Sequence, residues 1–265
     1  MNQPRGQTGQ RGRGRGRGGR GRGGRGRGIP ENTRPSRPFN SSTPRDIQAL
    51  RNLNLSRRET CTHFISIPFK DESLKKSFED FRNDLIQNLD KYRINENIIQ
   101  KSPKLHKTII NLTLTEQKDI DLAKKTLEGE KEALKEILKS DTQEKHVIVK
   151  GLQEPRNLMF TSDIYANITS SVISKITDHL IEAFEREKMN MLSGNPVGGR
   201  ILLINKGLLT DETMKRINYS FNPGPLLQNY RDHEFGKLDI KEIHLSRRHK
   251  YDADGYYEAE TVVQL

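Results

Sequence analysis

KLHKTIINLTLTE, residues 104–116, is apolar or β-branched at most positions from Leu105 to Leu114 and reads as a strand, after which Thr115 and Glu116 open a charged helical stretch. On a strand, residues two apart share a face, so His106 and Thr108 project together while Lys107 points away. An imidazole beside a hydroxyl suits a phosphate ester. The ring moves a proton near neutral pH, and the hydroxyl holds a non-bridging oxygen where negative charge builds. Taken alone, a His and a Thr two apart on a strand are also what an ordinary polar strand surface looks like.

Elements on either side make the pattern more specific. Upstream, THFISIPF (62–69) is a strand ending at Pro68, and 71–89 is a helix whose Leu74, Phe78, Phe81, Leu85 and Leu89 share one face. Downstream, the helical stretch runs to about Lys139 with a break at Gly129. Strands are expected at 146–152 and 158–168, then an amphipathic helix over 172–189 with Ile173, Ile176, Leu180, Ile181 and Phe184 on one face. After SGNPVGG (193–199) come a short strand, 200–205, and a small helix near 226–231. Two antiparallel strands, 241–247 and 256–265, close the chain across DADG. The order predicts an α+β fold of two similar lobes with a central groove.

The charge is unevenly distributed. The 265 residues carry a net +11, but residues 1–58 hold fifteen Arg, no Lys and only Glu31 and Asp46, a local +13, so everything from Glu59 onward sums to −2. RGRGRGRGGRGRGGRGRG (11–28) consists of eight Arg and ten Gly. Nothing there can be buried to offset backbone entropy, so disorder is expected for 1–28. Arg11, Arg13, Arg15, Arg17, Arg20, Arg22, Arg25 and Arg27 can fork onto phosphates or stack on bases, which makes RNA the expected partner and Arg methylation a plausible modification. A solubility or targeting tail is the alternative. Residues 29–58 read as a Pro-rich linker with a short amphipathic segment near Ile47–Leu55, and 59–265 as the folded domain.

No window approaches the roughly 18 apolar residues of a membrane span, and no apolar signal segment follows the N-terminus. A lone Cys61 neither forms an internal disulfide nor suggests zinc, and the compartment reads as reducing. His63, His146, His179 and His233 lack metal-ligand spacing, so no metal or cofactor is expected. NPVGGR (195–200) reads as a turn or a phosphate nest, and Arg247-Arg248-His249-Lys250 as a basic rim or a solvated strand end.

THFISIPF, KLHKTIINLTLTE and the closing GKLDIKEIHLSRRHKYDADGYYEAETVVQL (236–265) carry a resemblance to the two-histidine (2H) phosphoesterase superfamily. More narrowly, they resemble the A-kinase anchoring protein 7-like phosphoesterase domain, a group that includes activating signal cointegrator 1 complex subunit 1. The resemblance implies two HxT/S motifs facing each other across the groove, one His as base and one as acid. They would act without metal on 2′,3′-cyclic phosphates or 2′–5′ linkages. His106 and Thr108 form the first motif. The second is expected on the strand GGRILLIN, where Arg200 and Leu202 occupy the His and hydroxyl positions. Arg does not exchange protons near neutral pH, although it can clamp a phosphate. His244 and Ser246 also read HxS, at a spacing that instead matches the closing hairpin.

Arg200 and Leu202 in place of the second motif make a catalytically impaired domain the expectation, and the Arg/Gly tail makes it RNA-associated; the resemblance implies a regulatory role in a nuclear setting, alone or together with the cytoplasm, in transcription coactivation or nucleic-acid repair. An active phosphodiesterase on RNA ends and a protein-interaction scaffold in a complex stand as alternatives.

Overall fold

A computed structural model of the chain describes residues 61–140, 147–154, 163–192, 199–205, 208 and 222–265. The Arg/Gly segment, the linker, His146, residues 158–162 of the expected fourth strand and most of SGNPVGG lie outside the described residues.

Among the described residues, eight strands form two four-stranded antiparallel sheets. β1 (His63–Pro68), β2 (His106–Leu112), β7 (Glu242–Tyr251) and β8 (Tyr257–Gln264) make the first, in the order β2-β1-β7-β8. β3 (Val147–Gln153), β4 (Ile164–Thr169), β5 (Arg200–Ile204) and β6 (Glu234–Leu238) make the second, in the order β5-β4-β3-β6. The two lobes therefore do not follow one another along the chain. The chain starts the first sheet, builds all of the second, and returns to complete the first with the closing hairpin.

The α-helices among the described residues are α1 (Glu72–Gln87), a single turn α2 (Leu89–Tyr92), α3 (Gln117–Gly129), α4 (Lys131–Ser140), α5 (Ser171–Arg186) and α6 (Gly224–Asn229). α1 joins two strands of the first sheet yet packs on β6 of the second: Phe78 stacks on Phe235 at 4.6 Å and Phe81 meets the same ring edge-on at 5.4 Å. Its stripe of Leu74, Phe78, Phe81 and Leu85 is buried as the periodicity requires. The expected break at Gly129 falls between α3 and α4. There Glu130 binds His179 of α5 at 2.7 Å and Arg186 at 2.6 Å.

α5 starts at Ser170, whose side chain accepts from the Ile173 N–H at 3.3 Å, and buries Ile173, Ile176, Leu180 and Phe184. Removing that cap orphans a helix-terminal donor. Ser170→Ala is accordingly expected to lower stability by about 1 kcal/mol in chemical denaturation.

The centre of the molecule is set by a reciprocal exchange at the sheet edges. The segment leading into β2 bonds β5, through Gln100 N–H to Leu203 O and Asn205 N–H to Ile98 O, both 2.8 Å. The segment leading into β5 bonds β2, through Thr113 N–H to Asn190 O and Leu192 N–H to Asn111 O, both 3.0 Å. β2 and β5 are thus neighbours, each held by the other's lead-in. No helix among the described residues is long and apolar enough to cross a membrane.

Candidate functional site

β2 and β5 carry the same exposure rhythm. His106 and Thr108 are half-buried, alternating with buried Lys107 and Ile109; Arg200 and Leu202 are half-buried, alternating with buried Ile201 and Leu203. The two pairs take the first and third positions of the two edge strands that meet at the junction of the sheets.

The His106 ring is fixed by its Nδ1, 2.8 Å from the Lys104 carbonyl oxygen. A carbonyl only accepts, so Nδ1 carries the proton and Nε2 presents a lone pair. Phe64 lies 5.0 Å from the ring centroid, Tyr257 5.4 Å and Tyr256 6.1 Å, the two tyrosines edge-on. Burial among these rings disfavours the imidazolium and pushes the His106 pKa down to about 4, despite the pull of the Lys104 carbonyl in the other direction. Around neutral pH the ring is a neutral acceptor.

Register places Ser66 of β1 opposite Thr108 on one side and opposite His244 of β7 on the other. Ser66 Oγ is 2.9 Å from the Tyr256 hydroxyl. The Tyr256 ring stands 6.1 Å from His106 and 5.6 Å from His244, edge-on to both. Burial holds that phenol above its ordinary pKa. His244 thus lies on the same sheet as His106, and not on the opposing sheet. Its Nε2 donates to Glu242 Oε1 at 2.9 Å; Glu242 also pairs with Lys70 and accepts from Gln264 Nε2 at 2.9 Å. Burial disfavours the Glu242 charge, yet those three hydrogen bonds outweigh it and keep the carboxyl below its usual range. His244 is 5% exposed and its pKa is lowered, by burial first, so it is a neutral donor committed to its carboxylate. Ser246 beside it is fully buried.

Across the junction, Arg200 opens β5 opposite Asn167, its guanidinium 5.8 Å from the Tyr165 ring centroid. Gly199 before it presses on β4: its carbonyl accepts from Ile168 N–H at 2.6 Å, and a Cβ there would overlap the Ile168 carbonyl oxygen. Gly199→Ala is expected to cost about 1–3 kcal/mol in thermal denaturation, since backbone must move to admit a methyl group. Of NPVGGR, only Gly199 and Arg200 are among the described residues.

Lys107 is the residue that strand alternation located without revealing its consequence. It is 1% exposed, and burial, with the Arg200 charge adding to it, lowers its pKa to about 8. His63 and His233, read from the sequence as structural or surface residues, have neighbours of their own. His63 Nδ1 is 2.9 Å from Thr62 Oγ1 and its Nε2 3.7 Å from Glu260; His233 packs on Phe235 at 4.6 Å. Among the described residues, no group of three or more His, Cys, Asp or Glu is placed to hold a metal.

Residues 61–265 match the family described as the AKAP7 2'5' RNA ligase-like domain. The chain belongs to this family of 2H phosphoesterase domains. Its AKAP7-like domain is similar to activating signal cointegrator 1 complex subunit 1 of Mus musculus, 24% identical over 221 residues, which cover 76% of this chain and 62% of that protein. Among solved structures, the AKAP7-like domain is similar to E. coli LigT complexed with 3'-AMP (11% identity, TM-score 0.44, 77% of this chain and 98% of that one). It is also similar to Kluyveromyces marxianus Usb1 with uridine monophosphate (12%, TM-score 0.41, 78% and 100%).

Proposed function

We propose that this chain is an RNA-associated regulatory protein whose 2H domain holds a phosphate ester between β2 and β5 but turns it over poorly. His106 and Thr108 contact the ester from one strand and Arg200 from the other. The pairing of equivalent positions on β2 and β5 carries this reading: His106 and Thr108 on one strand answer to Arg200 and Leu202 on the other. One wall has an oriented base; the other has a permanent cation that binds phosphate but delivers no proton. His244 does not make good the loss, because its proton is committed to Glu242 on the sheet that already carries His106.

The Arg/Gly segment supplies sequence-tolerant RNA contact, with Arg11 to Arg27 as the phosphate-binding cations. By analogy with a relative named as a complex subunit, the protein works within a protein assembly. A nuclear setting in transcription coactivation or nucleic-acid repair follows from the same analogy.

The test is to incubate the full chain with 2′,3′-cyclic nucleotides and 2′–5′ oligoadenylate beside a His106→Ala variant. Equal, near-background rates are expected. Wild-type turnover that disappears in His106→Ala would establish the active enzyme instead. In parallel, deleting residues 1–28 is expected to weaken binding to single-stranded RNA and to flatten its salt dependence by about 0.7 log unit for each phosphate that the tail neutralises. An unchanged slope would remove the tail from the RNA-binding surface.

A further inference from the structure

Near His106 the closing hairpin carries one ring, Tyr251, and cations that the site chemistry does not use. Tyr251, at the end of β7, is 45% exposed and pairs across the hairpin with Tyr257 of β8, their ring centroids 5.2 Å apart. Tyr257 then meets Phe64 at 4.9 Å and His106 at 5.4 Å. A ladder of rings therefore runs from solvent to the imidazole. The Lys104 ammonium lies 3.7 Å from the Tyr251 centroid, on the residue whose carbonyl orients His106. Arg248, half-buried, and Lys250, exposed, flank the same tip, and neither makes an ion pair among the described residues. Arg247, by contrast, is held by Glu260 and lies 3.6 Å from Glu258. Of the acids at the tip, Asp252 is turned to the backbone, where its Oδ1 accepts from the N–H groups of Asp254 at 3.0 Å and Tyr256 at 2.9 Å.

We infer that the hairpin tip is a base-stacking platform for single-stranded RNA. A nucleobase lies on Tyr251, flanking phosphates meet Lys104, Arg248 and Lys250, and the strand leads along Tyr257 to His106. An exposed ring with Lys104, Arg248 and Lys250 beside it, in a turn that also carries Asp252 and the exposed Asp254, matches a polyanion whose bases are unpaired and free to stack. Duplex RNA keeps its base faces occupied and gains nothing from Tyr251. The inference rests on the reading of the groove as a phosphate-ester site and names the strand that enters it.

The experiment uses the full chain with a single-stranded oligoribonucleotide carrying one 5-iodouracil, irradiated at elevated salt to suppress binding by the Arg/Gly segment, and maps the linked peptides by mass spectrometry. Crosslinks within 248–257 are expected, falling roughly 5- to 150-fold in yield for Tyr251→Ala at subsaturating RNA and persisting in Tyr251→Phe, which keeps the ring. Crosslinks to the peptides bearing His106 or Arg200 but none to the hairpin would overturn the platform while leaving the groove reading intact. Crosslinks confined to residues 1–58 would overturn both. A yield equal for Tyr251→Ala and wild type, or equal for duplex and single strand, also overturns the platform.

Discussion

Arg200→His combined with Leu202→Thr is expected to raise hydrolysis of a 2′,3′-cyclic nucleotide by about 10²- to 10⁴-fold over the wild-type chain. The two positions are those that β5 presents in step with His106 and Thr108 of β2. The substitution gives the second wall a titratable group and a hydroxyl donor, and it exchanges a cation whose pKa lies far above neutrality for one that shares protons near it. His106 already has the protonation state of a base, since Nδ1 is fixed on the Lys104 carbonyl and burial keeps the ring neutral. On the proposed reading the site lacks an acid for the leaving oxygen, and a gain of this size corresponds to roughly 3–5 kcal/mol off the barrier. Arg200→His alone is expected to deliver the larger share. The gain must vanish when His106→Ala is added to the double variant. A folded double variant with the wild-type rate, or a gain indifferent to His106, would show that β2 and β5 do not work on one phosphate.

His106 and Thr108 share a face because strands alternate, and α1 and α5 are helices because their apolar residues recur at three and four. Such local periodicities survive folding. β6 has no comparable signal, because Glu234–Leu238 offers only Phe235 and Leu238 to burial, around a glycine at φ 137°. It exists because α1, some 150 positions earlier in the chain, supplies Phe78 and Phe81 to cover it. The closing hairpin is legible as a hairpin, but not its place beside β1, which brings Tyr256 and Tyr257 over His106. His244 shows the same limit. HxS spacing fixes which face it takes, while Glu242, Lys70 and Gln264, which decide what its proton does, come together only in the fold.

Lys107 is where periodicity and composition disagree, and its titration is the second large expectation. Alternation assigns it to the core side of β2, where the matching position of β5 is fully buried Ile201. Burial in such a place disfavours the charged form of a lysine. Burial, with Arg200 adding to it, lowers its folded pKa from 10.5 to about 8. Below about pH 8 both folded and unfolded chains hold the proton, and the folded state bears the whole penalty. Between about 8 and 10.5 the unfolded chain binds more protons, so stability rises with pH through that window, by up to about 3 kcal/mol in total. His106 has the same sign on the acid side: its folded pKa is depressed, so its contribution is complete above about 6.5 and is lost as pH falls toward 4. Lys107→Met keeps the volume and removes the charge. Urea denaturation at a series of pH values is expected to show the alkaline rise in the wild-type chain and its absence in Lys107→Met. The acid limb should be common to both. An alkaline rise that persists in Lys107→Met would assign it to another group.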